Sequence, residues 1–392
     1  MPDISTKTGP KKVRSNKLQI KVDWLSFTLP YSSDSDKGNQ QFKMLKFLGY
    51  KLDDFEEGAG RFFYNSSISL DRYLTVYYDD FSKEVSKYSA KNILYVWTGQ
   101  GSTDLAQKLL KKYKGKDWQS SWFAFFDYLK SIQAKVTRLD LAVDAYHHEL
   151  NLFRMESKLK HGYYRSSKRR YNVIKQFDTE GNVKSFTIYV GQSRGKSSKS
   201  GGSFVRFYDK YAQSLSKAVV MPREVDDLVT GGGSHFWVRA EQQYNKERAQ
   251  TCVDEILRQK SFGKVYMGTL RKTVEFLVPS KVNKDKKTWK VASKWEKFLQ
   301  GCEKITLSNP ERNLDLGRLL RWIRVAVVPS LHLLDELGKQ RGFDIYELIK
   351  ACKVDGYQKK QKRLFNDAMQ MSDDLIIFYL KEFLRGYGSD EN

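Results

Sequence analysis

The stretch VTRLDLAVD, residues 136–144, alternates residue by residue: Arg138, Asp140, Ala142 and Asp144 fall on one side, Thr137, Leu139, Leu141 and Val143 on the other. Period two is the signature of an extended strand with one face in a core. Three charges on the opposite face are expensive to bury without partners, so that face is an open floor or a ligand site. A solvated outer sheet face is the alternative.

Outward from this strand the chain has more runs of the same type. LQIKVDWLSFTLP (18–30) carries Ile20, Val22, Trp24 and Phe27 and is closed by Pro30. RFFYNSSISL (61–70), RYLTVYYDD (72–80) and NILYVWTG (92–99) follow, the last entering a Gly-Gln-Gly turn at Gly99 to Gly101. KSFTIYVG (184–191) and GSFVRFYDK (202–210) are joined by a flexible basic loop, and HFWVRAEQQY (235–244) comes after GGGS. Apolar residues at three- and four-residue spacing predict helices from Thr103, from Trp118 and beyond Glu247. The charged connector SKVNKDKKTWKVASK (280–294) marks a boundary. The expected architecture is a basic tail (1–18), an α+β domain (19–280) and a smaller, mostly helical region (281–392). In the last, PERNLDLGRLLRWIRVAVV, FDIYELIKAC and SDDLIIFYLKEFLRGY read as helices, with Asn313 or Asp315 as caps. No fixed-period repeat is visible.

The 392 residues carry 69 Lys plus Arg against 46 Asp plus Glu, a formal charge of +23. Such an excess points to nucleic acid first and an anionic membrane surface second. No apolar run approaches the length of a membrane span and the N-terminus has no signal-like apolar core, so a cytoplasmic protein is expected. Three distant cysteines, Cys252, Cys302 and Cys352, exclude a disulfide framework and a zinc knuckle. Cations between residues 154 and 170, among them Lys168, Arg169 and Arg170, alternate with Tyr163, Tyr164 and Tyr171, a composition suited to phosphates and unpaired bases or to a solvated face. The loop at 192–203 adds Arg194, Lys196 and Lys199, and Lys359, Lys360, Lys362 and Arg363 form a basic patch near the C-terminus.

Two further strands complete a constellation. Phe204, Arg206, Tyr208 and Lys210 share a face, as do Arg239, Glu241 and Gln243. A tyrosine between two cations, with carboxylates on neighbouring strands, suits attack of a phenol oxygen on a phosphodiester. At a pKa near ~10 only about 0.1% of an ordinary tyrosine is phenolate at neutral pH, so the site must activate it. Arg206 and Lys210 favour the phenolate, and a carboxylate-bound Mg²⁺ or Mn²⁺ polarises the phosphate.

The strings VDWLSFTLP, TGQGSTDL, TRLDLAVD, TIYVGQSRGKSSKSGGSFVRFYDKYAQ and WVRAEQQY, in that order, resemble the Rep_trans-type rolling-circle replication initiators over roughly residues 20 to 260. That family includes plasmid initiators, relaxases of integrative conjugative elements and filamentous-phage replication proteins. The resemblance implies an antiparallel-sheet nicking domain, a nucleophile at Tyr208 in the R-x-Y-x-K string, and a divalent metal held by Asp140 and Glu241, with Asp144 a third candidate. Arg138 and Arg239 are then phosphate-binding or orienting groups. Asp144 lies four residues from Asp140 along one strand, about 13 Å, which is far for a shared ion without a bulge. Gln213 stands where the family often has an acid, and His147 and His148, being adjacent, do not form the paired-histidine metal motif of other rolling-circle enzymes. Tyr211 is expected on the face opposite Tyr208, and Tyr95 and Tyr189 in packing. The implied activity is nicking and joining through a 5′-phosphotyrosyl intermediate. Its partners are double- and single-stranded origin DNA, a host helicase and polymerase, since no phosphate-loop motif is present, and a second copy in a homodimer. A non-catalytic DNA- or RNA-binding protein is the rival reading.

Overall fold

The computed structural model describes residues 20–31, 40–71, 73–86, 89, 91–114, 117–146, 150–191, 203–216, 237–305, 307, 316, 319–320, 323–352, 356–357, 359–369 and 373–384. The basic tail, Arg194, Lys196, Lys199, His147, His148, Asn313 and Asp315 lie outside them. Contacts divide the chain into two units, Met1–Pro310 and Glu311–Asn392.

The first unit is built on ten strands: β1 (Ile20–Pro30), β2 (Glu56–Ala59), β3 (Ser66–Leu70), β4 (Leu74–Tyr78), β5 (Asn92–Thr98), β6 (Lys135–Ala145), β8 (Tyr171–Phe177), β9 (Val183–Val190), β10 (Ser203–Asp209) and β11 (Val238–Asn245). β7 (Tyr164–Ser166) and β12 (Val274–Phe276) form a separate two-stranded ribbon. The order across the large sheet is β2-β3-β4-β5-β1-β6-β11-β10-β9-β8, with every ladder antiparallel.

That order has a two-fold character. In the first half β1 leads through a helix, α1 (Gln40–Phe47), to a meander β2–β5 whose last strand returns beside β1. In the second half β6 leads through α4 (Leu152–Lys160) to a meander β8–β11 whose last strand returns beside β6. Each meander is followed by a helix pair: α2 (Gly99–Tyr113) and α3 (Trp118–Ser131) after the first, α6 (Glu247–Gln259) and α7 (Phe262–Thr273) after the second. The leading strands β1 and β6 pair at the centre.

The helices cover one face of the sheet. Phe27 stacks on Tyr95 at 5.1 Å and Trp97 at 5.5 Å and meets Phe125 of α3 edge-on at 6.2 Å. Tyr95 is the packing residue expected, its hydroxyl donating to the Gln41 carbonyl at 3.0 Å. Leu139, Leu141 and Val143 are fully buried on this same face, as the alternation of 136–144 requires. Burial of a large apolar side chain contributes roughly 1.5–3 kcal/mol, so this layer dominates the stability of the unit.

Several expectations shift. α2 begins at Gly99, so the Gly-Gln-Gly turn is the first helical turn. A Cβ on Gly101 would lie 2.3 Å from the Tyr73 carbonyl oxygen, which explains the glycine. RFFYNSSISL is a strand only from Ser66, because Arg61–Phe63 form a turn. The boundary near 281 moves to Pro310: a helix at Ser293–Leu299, α8, buries Trp295 against Phe207 (5.9 Å) and Phe276 (5.0 Å), so the charged connector is a surface loop of the first unit. The second unit, taken by itself, contains helices α9 (Val328–Arg341), α10 (Ile345–Ala351), α11 (Lys359–Met369) and α12 (Asp373–Leu384). Among the described residues, no helix is long and apolar enough to cross a membrane.

Candidate active site

The polar face of the second half-sheet gathers the predicted residues by register alone. Arg206 of β10 sits opposite Glu241 of β11, and Tyr208 opposite Arg239. Across the next ladder Arg239 faces Asp144 of β6, and Gln243 faces Asp140. Side chains in register on one face of an antiparallel pair, and those on its diagonals, reach one another.

Tyr208 is 6% exposed, and its hydroxyl donates to Glu241 Oε2 at 3.2 Å. The other carboxylate oxygen of Glu241 accepts a short charged hydrogen bond from Arg206. The Arg206 guanidinium also lies 5.4 Å from the Tyr208 ring centre. Burial pushes the Tyr208 phenol well above its ordinary value, Arg239 opposes that, and the Glu241 charge adds to it. The phenol is therefore protonated at rest, and its proton points at a carboxylate. Arg206 stays firmly cationic: burial works against its charge, and Glu241 outweighs burial. Its Nε, shielded from solvent, has no hydrogen-bond partner, an unmet donor beside the phenol.

Asp140 is 1% exposed and held by Arg138, whose Nε donates at 2.9 Å and whose terminal nitrogen donates at 2.5 Å. The Arg138 guanidinium packs over the Trp24 ring at 3.7 Å. Burial raises the Asp140 carboxyl to about 7, and the nearby Glu241 charge adds to the rise in spite of Arg138. Asp144 behaves in the opposite way. Arg239 holds it bidentately at 2.7 and 2.9 Å, and Lys21 adds a third bond at 2.9 Å. Burial alone would raise its carboxyl, but Arg239 and Lys21 hold it well below the usual range. Arg239 reaches onward to Asp23 at 2.8 Å. Asp23 sits where the β1–β6 register slips between Val22 and Trp24. Asp144 is thus the centre of a buried ion network, and Arg239, 8% exposed, braces the floor beneath Tyr208.

The fit of a divalent ion can be judged from the donors. Asp140 and Glu241 are hard oxygen ligands on adjacent strands, close enough for the charge of one to raise the proton affinity of the other, which is the repulsion a cation relieves. Two carboxylates suit such an ion by their chemistry, and the ion would compete with Arg138 for Asp140 and with Arg206 and Tyr208 for Glu241. Asp144, committed to Arg239 and Lys21, is not grouped with them. Among the described residues the one cluster of three potential ligands is His332, Asp335 and Glu336 on α9, where both acids already pair with Lys339.

Other placements differ from expectation. β10 ends at Asp209 and Lys210 opens a short helix, α5 (Lys210–Ser216), so Lys210 is not a strand neighbour of Tyr208; its Nζ lies 6.0 Å from the Tyr208 ring and donates to Gln213 at 2.7 Å. Tyr211 lies on this helix too, and the odd-spacing argument does not apply to it. The 154–170 patch divides: Lys158 donates to the Leu277 carbonyl, Lys160 pairs with Glu156 and Arg165 with Glu275, while Lys168, Arg169 and Arg170 line a groove of 1510 Å³ on the open face of the sheet. Arg138 lines the same groove. The Trp24 platform, the Asp23 bulge and Lys21 carried no signal beyond a strand-like pattern, because a cation–aromatic contact made across strands has no spacing in sequence.

A buried tyrosine, an arginine and two carboxylates on one face of an antiparallel sheet, beside a basic groove, are groups that a DNA-processing replication initiator would need, and comparison with known proteins gives that class. The chain belongs to the Rep_trans family, described as replication initiation factor, which matches residues 134–367. It is 23% identical over 324 residues, 82% of this chain and 83% of the relative, to a Bacillus subtilis (strain 168) protein named "Putative DNA relaxase NicK". Its fold is similar to the structure of a rolling circle replication initiator protein from Geobacillus stearothermophilus, with a TM-score of 0.57 and 22% identity over 75% of this chain and 99% of that chain. The family match begins at β6, so VDWLSFTLP and TGQGSTDL, read as part of the resemblance, lie outside it.

Proposed function

We propose that this chain starts rolling-circle replication, or conjugative transfer, of a mobile element by cutting and rejoining one DNA strand at Tyr208. The observation that carries the reading is the pair of bonds on Glu241, one from the Tyr208 hydroxyl and one from Arg206. The Tyr208 oxygen attacks the phosphorus, and Glu241 takes the phenol proton. The bond to the 3′ oxygen breaks, that oxygen leaves with the electron pair and takes up the proton that Glu241 received, directly or through water, and the 5′ phosphate remains as a tyrosyl ester. The reverse attack by a 3′ hydroxyl reseals the strand, so no nucleotide triphosphate is consumed. Arg206, with an unmet Nε donor, is placed to receive charge developing on the phosphate oxygens. Asp140 and Glu241 would hold Mg²⁺ or Mn²⁺, which when bound polarises the scissile phosphate. The freed 3′ hydroxyl primes a host polymerase behind a host helicase, reactions that take place in the cytoplasm.

The test uses supercoiled plasmid bearing the cognate origin, Mn²⁺ and full-length protein. Open circles and a covalent protein–DNA adduct are expected from wild type, and Tyr208→Phe should lose both while still binding the origin. Normal nicking by that variant removes Tyr208 from the role. Wild-type binding with no adduct under Mg²⁺ or Mn²⁺ makes the chain a DNA-binding protein instead.

A further inference from the structure

The two halves of the sheet are alike in topology and unlike in chemistry. In the second half, β10, β11 and β6 bring Arg206, Tyr208, Glu241 and Asp140 to the open face. The equivalent strands of the first half are β4, β5 and β1, whose open face carries Thr75, Tyr77, Val96, Thr98 and Ser26. A tyrosine is present on the corresponding strand, Tyr77, but it faces Leu94, and Thr75 faces Val96. With no carboxylate or cation in register with Tyr77, which is flanked by Ser67 and Leu94, this half lacks the arrangement proposed to act in the other.

It is nonetheless where the groove lies. Among the described residues the lining includes six cations, Arg61, Arg138, Lys168, Arg169, Arg170 and Lys246, and no Asp or Glu. In a chain with 46 acidic residues, a groove of 1510 Å³ free of them selects a polyanion. The floor and one wall are aromatic: Trp24, whose indole Nε1 is shielded and has no hydrogen-bond partner, Tyr77, and Phe62 edge-on to Tyr77 at 5.5 Å. Phe62 is 68% exposed and Phe63 63% exposed. Both sit at positive φ, 57° and 73°, a region that bulky residues rarely occupy. The turn is held there by Tyr64 N donating to the Arg61 carbonyl at 3.0 Å, and at Gly60 a Cβ would lie 1.9 Å from the Tyr64 carbonyl oxygen. The backbone thus presents both phenyl rings to solvent, Phe62 at the groove. Exposed aromatic faces beside cations are what unpaired bases stack on, whereas a duplex keeps its base faces covered. The groove also reaches the cutting half, because Gln243, Asn245 and Arg138 line it from the strands that carry Glu241 and Asp140.

We propose that the groove floored by the first half-sheet and walled by Lys168, Arg169 and Arg170 of the second is a holding site for the single strand that flanks the nick, with bases stacked on Phe62 and Tyr77 and phosphates on those three cations. Where the strand leads rests on the reading of Tyr208 above; the site itself does not. The two half-sheets thus divide the labour, the strands of one cutting and the uncharged strands of the other flooring the site that grips unpaired DNA.

The test is fluorescence anisotropy of full-length protein with a 5′-labelled oligo(dT) 12-mer and with a blunt 12-base-pair duplex, over a range of salt. Phe62→Ala should weaken oligo(dT) binding by roughly 5- to 100-fold, the range for loss of one stacked base, and leave the duplex unchanged. Phe62→Tyr should keep wild-type affinity. Arg169→Gln with Arg170→Gln should lower the salt slope by about 1.4, two single-strand phosphate contacts. Lys130→Gln, on the helical side, should change nothing. Wild-type oligo(dT) affinity in both groove variants overturns the proposal, as does an equal loss of duplex binding in Phe62→Ala. Tyr208→Phe should bind oligo(dT) normally; if that variant still forms adduct, the nucleophile is wrong and the groove result is unaffected.

Discussion

Two aspartates four residues apart on β6 are held in opposite electrostatic states by their arginines. Asp144 has two cations and a depressed carboxyl, so it contributes stability above its unfolded value of about 4 and loses that contribution as pH falls further. Asp144→Asn should cost about 3–5 kcal/mol at pH 7, because Arg239 loses its bidentate partner while buried, and should flatten the acid limb of the stability profile. Urea unfolding between pH 2 and 7 measures both; unchanged stability would mean that the network adds nothing to the fold. Asp140 has one arginine and a neighbouring carboxylate, and its raised carboxyl, about 7, makes stability fall as pH rises from about 4 to 7, by at most about 1.4 kcal/mol per unit. Asp140→Asn should therefore be more stable than wild type at pH 8 without added metal, and should lose any stabilisation conferred by Mn²⁺ in a thermal melt. The sequence places Asp140 and Asp144 on one face, but nothing in it tells which carboxyl is depressed and which is raised. That difference comes from Arg239 and Lys21, which other strands supply.

Helix starts and strand ends are the elements where local signals and tertiary context disagree. α3 begins where the sequence says, because Asp117 and Ser120 cap it reciprocally. Asp117→Ala should cost about 1 kcal/mol in chemical denaturation. α2 begins four residues earlier than its apolar periodicity suggests, because Gly101 lets the helix press on the Tyr73 carbonyl. Gly101→Ala should destabilise by roughly 1–3 kcal/mol even though alanine is the better helix former, since the clash is with rigid backbone. Equal or higher stability of that variant would show the contact to be loose. At the site the same tension matters for chemistry. β10 gives way to α5 at Lys210, so strand alternation places Arg206 and Tyr208 correctly and fails one residue pair later.

At the scale of the molecule the halves of the sheet share a path but not a composition. β1 and β6, both of eleven residues, pair at the centre, each flanked by the last strand of its own meander, yet only the second half sets a tyrosine, an arginine and a carboxylate in register on its polar face. This is why no repeat is visible in the sequence. A core strand needs only apolar alternation, and outward residues diverge without cost to the fold. α8 closes over the second half through Trp295, so a truncation after Pro310 should unfold in one cooperative transition, whereas truncation after Ser280 should expose Phe207 and Phe276 and broaden or abolish it. Circular dichroism melts separate the two outcomes.

By itself the amino-acid order determined the class of fold, the antiparallel strands and their inward faces, the positions of the main helices, the pull toward polyanions, and the candidate set Tyr208, Arg206, Glu241 and Asp140. The strands, helices and charge follow from periodicities of two and 3.6 residues and from composition, properties that each segment carries alone, whereas Asp140 and Glu241 are singled out by the resemblance to the Rep_trans-type initiators. Only the tertiary structure decided that Glu241 is shared by Tyr208 and Arg206, that Asp144 belongs to Arg239, that Arg138 rests on Trp24, and that the uncharged half of the sheet forms the floor of a basic groove. Such relations depend on which strands become neighbours and in which register, and that is fixed by long-range packing with no spacing in the sequence to announce it.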